Sequence, residues 1–168
     1  MSRTPPGVSV RPARAEDAEA LLLLSRAAIQ ESAAEHYDAG QRQAWSDRRT
    51  LAQHQVMITR ETAVVAEVEG AIAGFATVAL DAGGPFEAGE VDQLFVDPRH
   101  GGRGVARLLL ETVAGAARDA GLTSLVTHAS WRSVPVFERM GYRREAVETV
   151  QVGDQQLTRA RMRLDLPA

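Results

Sequence analysis

The chain has 168 residues, a formal charge of −3, and 45% hydrophobic against 24% charged residues, a balance that suits one soluble globular domain with room for a core. It contains no Cys, no Lys and no Asn, so all 19 basic residues are Arg. These absences exclude a thiolate nucleophile, disulfides, Cys-ligated zinc, a Lys Schiff base, a Lys-bearing phosphate loop and N-glycosylation. The slightly acidic balance carries no nucleic-acid signature. Met1–Pro6 is polar and Pro-rich, and the longest apolar stretch, Ala71–Leu80, is about half a membrane span. The expectation is a cytoplasmic protein with one domain over residues 1–168, flexible over 1–7, and no membrane or nucleic-acid partner.

In chain order, Val8–Arg11 alternates like a short strand that stops at Pro12. Ala13–Ile29 reads as a helix, with Glu16 and Asp17 near the positive end of its dipole. Glu31–Arg60 predicts two short helices, broken at Gly40 and near Ser46. Thr62–Leu80 is β-branched and nearly all apolar, as expected of a buried hairpin turning at Glu69-Gly70. After a loop comes a strand, Glu90–Val96, then a Gly-rich turn, Arg99–Gly104, that opens a helix from Val105 to Ala120. A strand over Ser124–Ala129, a short helix over Ser133–Met140 and a hairpin over Tyr142–Leu166, turning at Gly153-Asp154, complete the pattern. The result is an α/β layered fold around a mixed sheet.

The stretch V-D-Q-L-F-V-D-P-R-H-G-G-R-G-V-A-R-L-L-L is the most informative. A helix N-terminus presents unpaired N–H groups and a positive dipole end, and preceding glycines let the backbone approach an anion. Arg103 and Arg107 add charge that reaches phosphate oxygens. These features read equally as a phosphate site or as a turn that only connects strand to helix. A dinucleotide-binding reading is weaker, because Arg107 stands at the third glycine of G-x-G-x-x-G.

The segment L-F-V-D-P-R-H-G-G-R-G-V-A-R-L-L-L, with H-A-S-W-R-S-V-P-V-F-E-R-M-G-Y downstream, resembles the two landmarks of the GNAT N-acetyltransferase superfamily. The resemblance runs from Val8 to Leu166. It implies a twisted, mostly antiparallel sheet of about seven strands flanked by four to five helices, and acetyl-CoA as cosubstrate. It also implies that the N–H groups of Gly102, Arg103, Gly104, Val105 and Ala106 hold the pyrophosphate, with Arg107 opening the helix. Leu94 and Val96, either side of Phe95, pair with the pantetheine arm, and the Leu94 N–H serves as an oxyanion donor. Three positions depart from the family pattern. Gly101 replaces a Gln or Arg, Phe137 stands where a Tyr often protonates the thiolate, and Ser130, still assigned to the cofactor, replaces an Asn.

Amine acetylation needs a neutral amine, a stabilised oxyanion and a departing thiolate. An alkyl amine titrates near ~10, so a base helps, whereas a thiol near ~8.5 leaves more easily. By strand alternation Glu90, Asp92, Leu94 and Val96 share one face. Either Glu90 or Asp92 is the expected base, and a neighbouring pair of carboxylates raises one pKa; the alternative is a solvated strand end and a structural hydrogen bond. Of the two tyrosines, Tyr142 reads as core packing, while Tyr37 is a candidate acid. Tyr37 and Trp45 frame Y-D-A-G-Q-R-Q-A-W, which resembles part of the acceptor wall in a bacterial GNAT subgroup and equally suits packing of short helices. His128 faces either the core or the cleft, and counts as a substrate contact in the second case. The scattered His residues show no metal spacing, so no metal is expected.

These readings converge on transfer of acetyl to an amine of a small molecule or peptide in a ternary complex. The alternative is a silent acyl-CoA-binding module, and a nucleotide-phosphate binder rests on the turn alone. The acceptor is not encoded in any motif, and similar proteins are often homodimers.

Overall fold

The computed structural model describes residues 3–168. The strands are β1 (Val8–Pro12), β2 (Thr62–Val68), β3 (Ala71–Ala79), β4 (Glu90–Val96), β5 (Ser124–Ser130), β6 (Arg143–Val152) and β7 (Gln155–Asp165). The helices are α1 (Ala18–Ser32), α2 (Ala39–Asp47), α3 (Leu51–Arg60), α4 (Val105–Asp119) and α5 (Val134–Arg139). One seven-stranded sheet runs β1-β2-β3-β4-β5-β7-β6, and every neighbouring pair is antiparallel except β4 and β5.

Local chemistry explains most boundaries. Glu69 and Gly70 both take positive φ, 52° and 82°, which is the tight turn a twisted two-residue hairpin prefers. The first helix starts later than its apolar pattern suggests. Asp17 accepts from the Arg14 N–H at 2.7 Å and from the Arg11 guanidinium at 2.8 Å, which holds Ala15–Asp17 as a single 3₁₀ turn. Gly40 does not break a helix; it lies in the first turn of α2. The start is set by Asp38, whose carboxylate accepts from Gln41 N–H while the Gln41 side chain accepts from Asp38 N–H. Thr50 and Gln53 form the same reciprocal cap at α3. The second break therefore falls just after Asp47.

Two apolar layers clamp the sheet. On one face α4 and α5 bring Leu109, Leu110, Val113, Val134 and Phe137 against Val64, Ala76, Val78, Val91, Leu125 and Met162. On the other, Leu21 and Leu24 of α1 and Met57 of α3 cover Val65 and Phe75. Residues 1 and 2 of the segment expected to be flexible lie outside the described residues; Pro5 lies over Gly104, where an added Cβ would come within 3.0 Å of it. No described helix is long and apolar enough to cross a membrane.

Phe75 is wholly buried and joins the His54 and Phe95 rings, whose centroids lie 6.2 and 5.6 Å away. Phe75→Ala is expected to destabilise the fold by about 3–5 kcal/mol, measured as a lower urea midpoint with an unchanged slope.

Candidate active site

Strands β4 and β5 pair only at Glu90–Val126 and Val91–Thr127. The Thr127 hydroxyl donates to the Val91 carbonyl at 2.9 Å at this fork, and the strands part beyond it. The Asp97 N–H donates to the Ala73 carbonyl at 2.8 Å, so alternation turns the N–H and C=O groups of Leu94 and Val96 toward the gap. Phe95, facing the other way, packs against the α1 layer.

The alternation expected along β4 does not hold. Pairing with β3 passes from Val78–Val91 to Thr77–Gln93, leaving Asp92 as an extra residue in a β-bulge. The parity reverses there. Val91, before the bulge, enters the same core layer as Leu94 and Val96 after it. Glu90 therefore projects to the opposite face from Leu94 and Val96, and the four residues do not form one row.

The gap opens into a cleft of about 390 Å³ bounded by β4, the glycine turn, α1 and α5. Gly101, Gly102, Gly104, Val105, Ala106, Arg107, Ser130 and Trp45 all line it. Gly102 and Gly104 take φ of 74° and 77°, which side-chain-bearing residues rarely adopt, and Gly104 caps α4. The first-turn N–H groups of α4 have no partner within the helix. The His100 Nδ1, on the same cleft wall, is buried without a hydrogen-bond partner among the described residues. This cradle fits a diphosphate, and the unpaired β4 edge fits an amide-bearing chain. Arg103 is exposed beside the turn. Arg107 spends part of its guanidinium on Glu111, at 3.9 Å, and on the Arg3 carbonyl, at 3.3 Å.

A second cavity, about 220 Å³, shares Trp45, Leu94, Phe95, Ser130 and Ser133 with the cleft. Asp92, His128 and Tyr37 line it. Glu90 lies behind, 6% exposed, and lines neither space. His128 stands between two carboxylates, its Nε2 3.4 Å from Glu90 and its Nδ1 2.8 Å from Glu148, which Arg159 also holds. Burial pushes the Glu90 carboxyl up, and the nearby Asp92 charge adds to this, while His128 opposes it. Tyr37 does not present a free proton to the cavity. Its hydroxyl donates to the Thr158 carbonyl at 2.7 Å and accepts from the Trp131 N–H at 3.0 Å, and its ring meets Trp45 edge-on at 5.7 Å. Phe137 is buried edge-on against Tyr142, whose hydroxyl is also buried and has no partner among the described residues. The Ser130 and Ser133 hydroxyls, 3.1 Å apart, are the ones that line both spaces.

Two contributors carry no motif. Glu61, at the end of α3, has its carboxyl pushed up to about 8, by burial first and by Asp92 second. It accepts from the Thr77 hydroxyl at 3.0 Å, which in turn accepts from the Gln93 N–H at 3.1 Å. Arg49 is half-buried and held by the Ser25 hydroxyl, the Gln93 side chain and His54, with its guanidinium 4.7 Å over Phe95. Among the described residues, Glu87, Glu90 and His128 bring three ligand atoms within 4.8 Å of one another. A cation there would compete with Arg161, which grips Glu87.

Glu61 makes stability pH-dependent. Its ordinary value is 4.5 and its folded value about 8, so across that window the unfolded chain ionises while the fold keeps the proton. Stability therefore falls as pH rises through the window. Glu61→Gln is expected to raise the urea midpoint at pH about 9 and to match the parent below pH about 4.

The acetyltransferase (GNAT) domain family matches residues 28–166. No curated sequence matches the chain. Among solved structures, a GCN5-related N-acetyltransferase from Rhodopseudomonas palustris shares 24% identity with a TM-score of 0.87, over 99% of this chain and 100% of the other. The structure of yncA from Salmonella typhimurium with its cofactor acetyl-CoA shares 22%, with a TM-score of 0.71, over 96% and 95%. A Thermoplasma acidophilum N-acetyltransferase in complex with coenzyme A shares 15%, with a TM-score of 0.75, over 94% and 98%. At these identities the solved structures establish a common fold. The family match spans most of the chain, from α1 to the end of β7, and the protein belongs to the GNAT acetyltransferase family.

Proposed function

We propose that the protein transfers acetyl from acetyl-CoA to a primary amine by direct attack, with Asp92 as the base. One juxtaposition carries this reading: the unpaired Leu94–Val96 edge runs from the anion turn to a carboxylate that lines the adjoining cavity. When bound, acetyl-CoA supplies an acetyl group activated as a thioester. The N–H groups from Gly102 to Ala106 hold its diphosphate, and the Leu94 and Val96 backbone pairs with its amide-bearing arm. The Leu94 N–H is the donor to the oxygen on which charge develops, a contribution that grows in a site shielded from water.

Asp92 takes the proton of an amine that is otherwise charged at neutral pH. Glu90 acts behind it as a positioning residue, because it lines neither cavity and touches the site through His128. Trp45 and Tyr37 serve as wall. With the Tyr37 and Ser133 protons on backbone carbonyls, the Ser130 hydroxyl donates to the departing thiolate. Neither step requires a metal.

Asp92→Asn is expected to lower kcat by about 10²-fold or more at neutral pH, with the acetyl-CoA KM within about twofold, and the deficit should shrink as pH approaches ~10, where the amine needs no base. Free-thiol release against an amine panel measures this. Full activity in both Asp92→Asn and Glu90→Gln rejects the carboxylate assignment. Acetyl-CoA binding without turnover on any amine identifies a binding module instead.

A further inference from the structure

A third cavity, about 530 Å³, opens between α2, α3 and the loop before β4. It shares Trp45, Arg49, Asp92 and Gln93 with the cavity in front of the proposed base. Its size is that of a small-molecule site. Trp45, Val56, Met57 and Phe86 give it an apolar lining, while Arg48, Arg49 and Arg60 supply three guanidinium groups.

The charges are unevenly matched. Arg159, Arg161 and Arg163, on the open face of β7, each hold a glutamate at 3.0, 2.6 and 3.1 Å. Among the described residues, Arg48, Arg49 and Arg60 form no such pair. Arg48 donates to the Gln151 carbonyl, and Arg60 lies 5.9 Å over the Phe86 ring. Arg49 spends its donors on the neutral Ser25, Gln93 and His54 side chains; burial lowers it to about 10, so it stays charged at neutral pH. The opposing carboxyls are Asp92 and Glu61, and Glu61 holds its proton up to about pH 8. In a chain of net charge −3, this cavity is positive on the helix side and negative only next to the site of acetyl transfer. Two exposed cations without a carboxylate partner among the described residues bind an anion more readily than cations already neutralised.

We infer that the acceptor is an amino acid with an apolar side chain, its amine toward Asp92 and its carboxylate toward Arg48 and Arg60. This rests on the acetyltransferase reading above and deepens it. A polyamine fits poorly, because its second ammonium would lie among guanidinium groups.

The test uses leucine, methionine, phenylalanine and tryptophan, each paired with its amide and its decarboxylated amine, at saturating acetyl-CoA. An α-amino group in peptide-like form titrates near ~8, so amides offer more neutral amine at pH 7 and intrinsic reactivity favours them. The expected result runs against that trend: at least one free amino acid exceeds its amide and its amine in kcat/KM by about tenfold or more. Arg48→Gln with Arg60→Gln should remove most of that preference through KM, lowering kcat/KM on the free amino acid far more than on the decarboxylated amine. Amides or simple amines used as well as amino acids, or a preference that survives the double variant, overturns the inference while the acetyltransferase reading stands. If acetyl-CoA binds but no amine is acetylated, the acetyltransferase reading fails instead. Calorimetry of the same amino acids with the CoA-loaded protein then decides the pocket: binding lost in the double variant supports it, and no binding overturns it.

Discussion

Two parallel strands that begin paired and then separate impose the remaining geometry of the site. β4 and β5 share only the Glu90–Val126 and Val91–Thr127 steps, and the Asp92 bulge lies immediately beyond. A bulge sharpens local twist and re-aims the strand that carries it. Past the fork, the Leu94 and Val96 backbone groups have lost a sheet partner, and such groups cost free energy unless something else satisfies them. A ligand with its own amides can do so. The bulge also decides which chemistry faces which layer. Val91, Leu94 and Val96 stay with the α4 core, while Glu90 turns to the face that carries His128.

Around that fork, charge is handled in two ways. On the open face of β7 and β6, Glu145 and Glu148 alternate with Arg159, Arg161 and Arg163 in pairs that neutralise themselves. Such half-exposed pairs add little stability but fix side-chain positions, and here they hold His128 and Glu87 in place. Near Asp92 the balance is left open. Burial raises the Glu61 and Glu90 carboxyls above their ordinary range, and Arg49 is a half-buried cation without a bonded carboxylate among the described residues. Local electrostatic disagreement of this kind is expected where function, not stability, selects the residues.

The features legible in the sequence are those whose physics is local. The glycine turn and α4 declare themselves within a few residues, as do the hairpins at Glu69-Gly70 and Gly153-Asp154. Gly40 misleads because a glycine in the first helical turn looks like a break, whereas the deciding signal is the Asp38 and Gln41 pair. The Asp92 bulge is invisible in E-V-D-Q-L-F-V, since an extra residue leaves no mark until the partner strand is known. Glu61 follows a helix in an unremarkable position, and only the Thr77 hydroxyl and Asp92, both distant in sequence, make it unusual. Arg48 and Arg49 follow the end of α2 and Arg60 ends α3, and nothing short of the fold brings them to one cavity.

Composition and geometry together constrain the chemical route. A chain without Cys has no thiol to carry an acetyl group between two half-reactions. Ser130 and Ser133 hydrogen-bond each other, and Ser133 also bonds the Ser130 carbonyl, so neither hydroxyl has the adjacent base that an activated nucleophile needs. Direct attack by the amine follows. The demands of that route are asymmetric: an amine near ~10 must lose a proton before it attacks, while a thiol near ~8.5 departs with modest help. The arrangement proposed above matches that asymmetry. Carboxyl groups crowd its base side at the fork, at Asp92, Glu90 and Glu61. The thiolate side offers only hydroxyls, and Phe137 closes it with an apolar ring packed on Tyr142. In the route proposed above, Phe137 at the position of the family's phenol bears on the easier half of the catalysis and leaves the harder half in place.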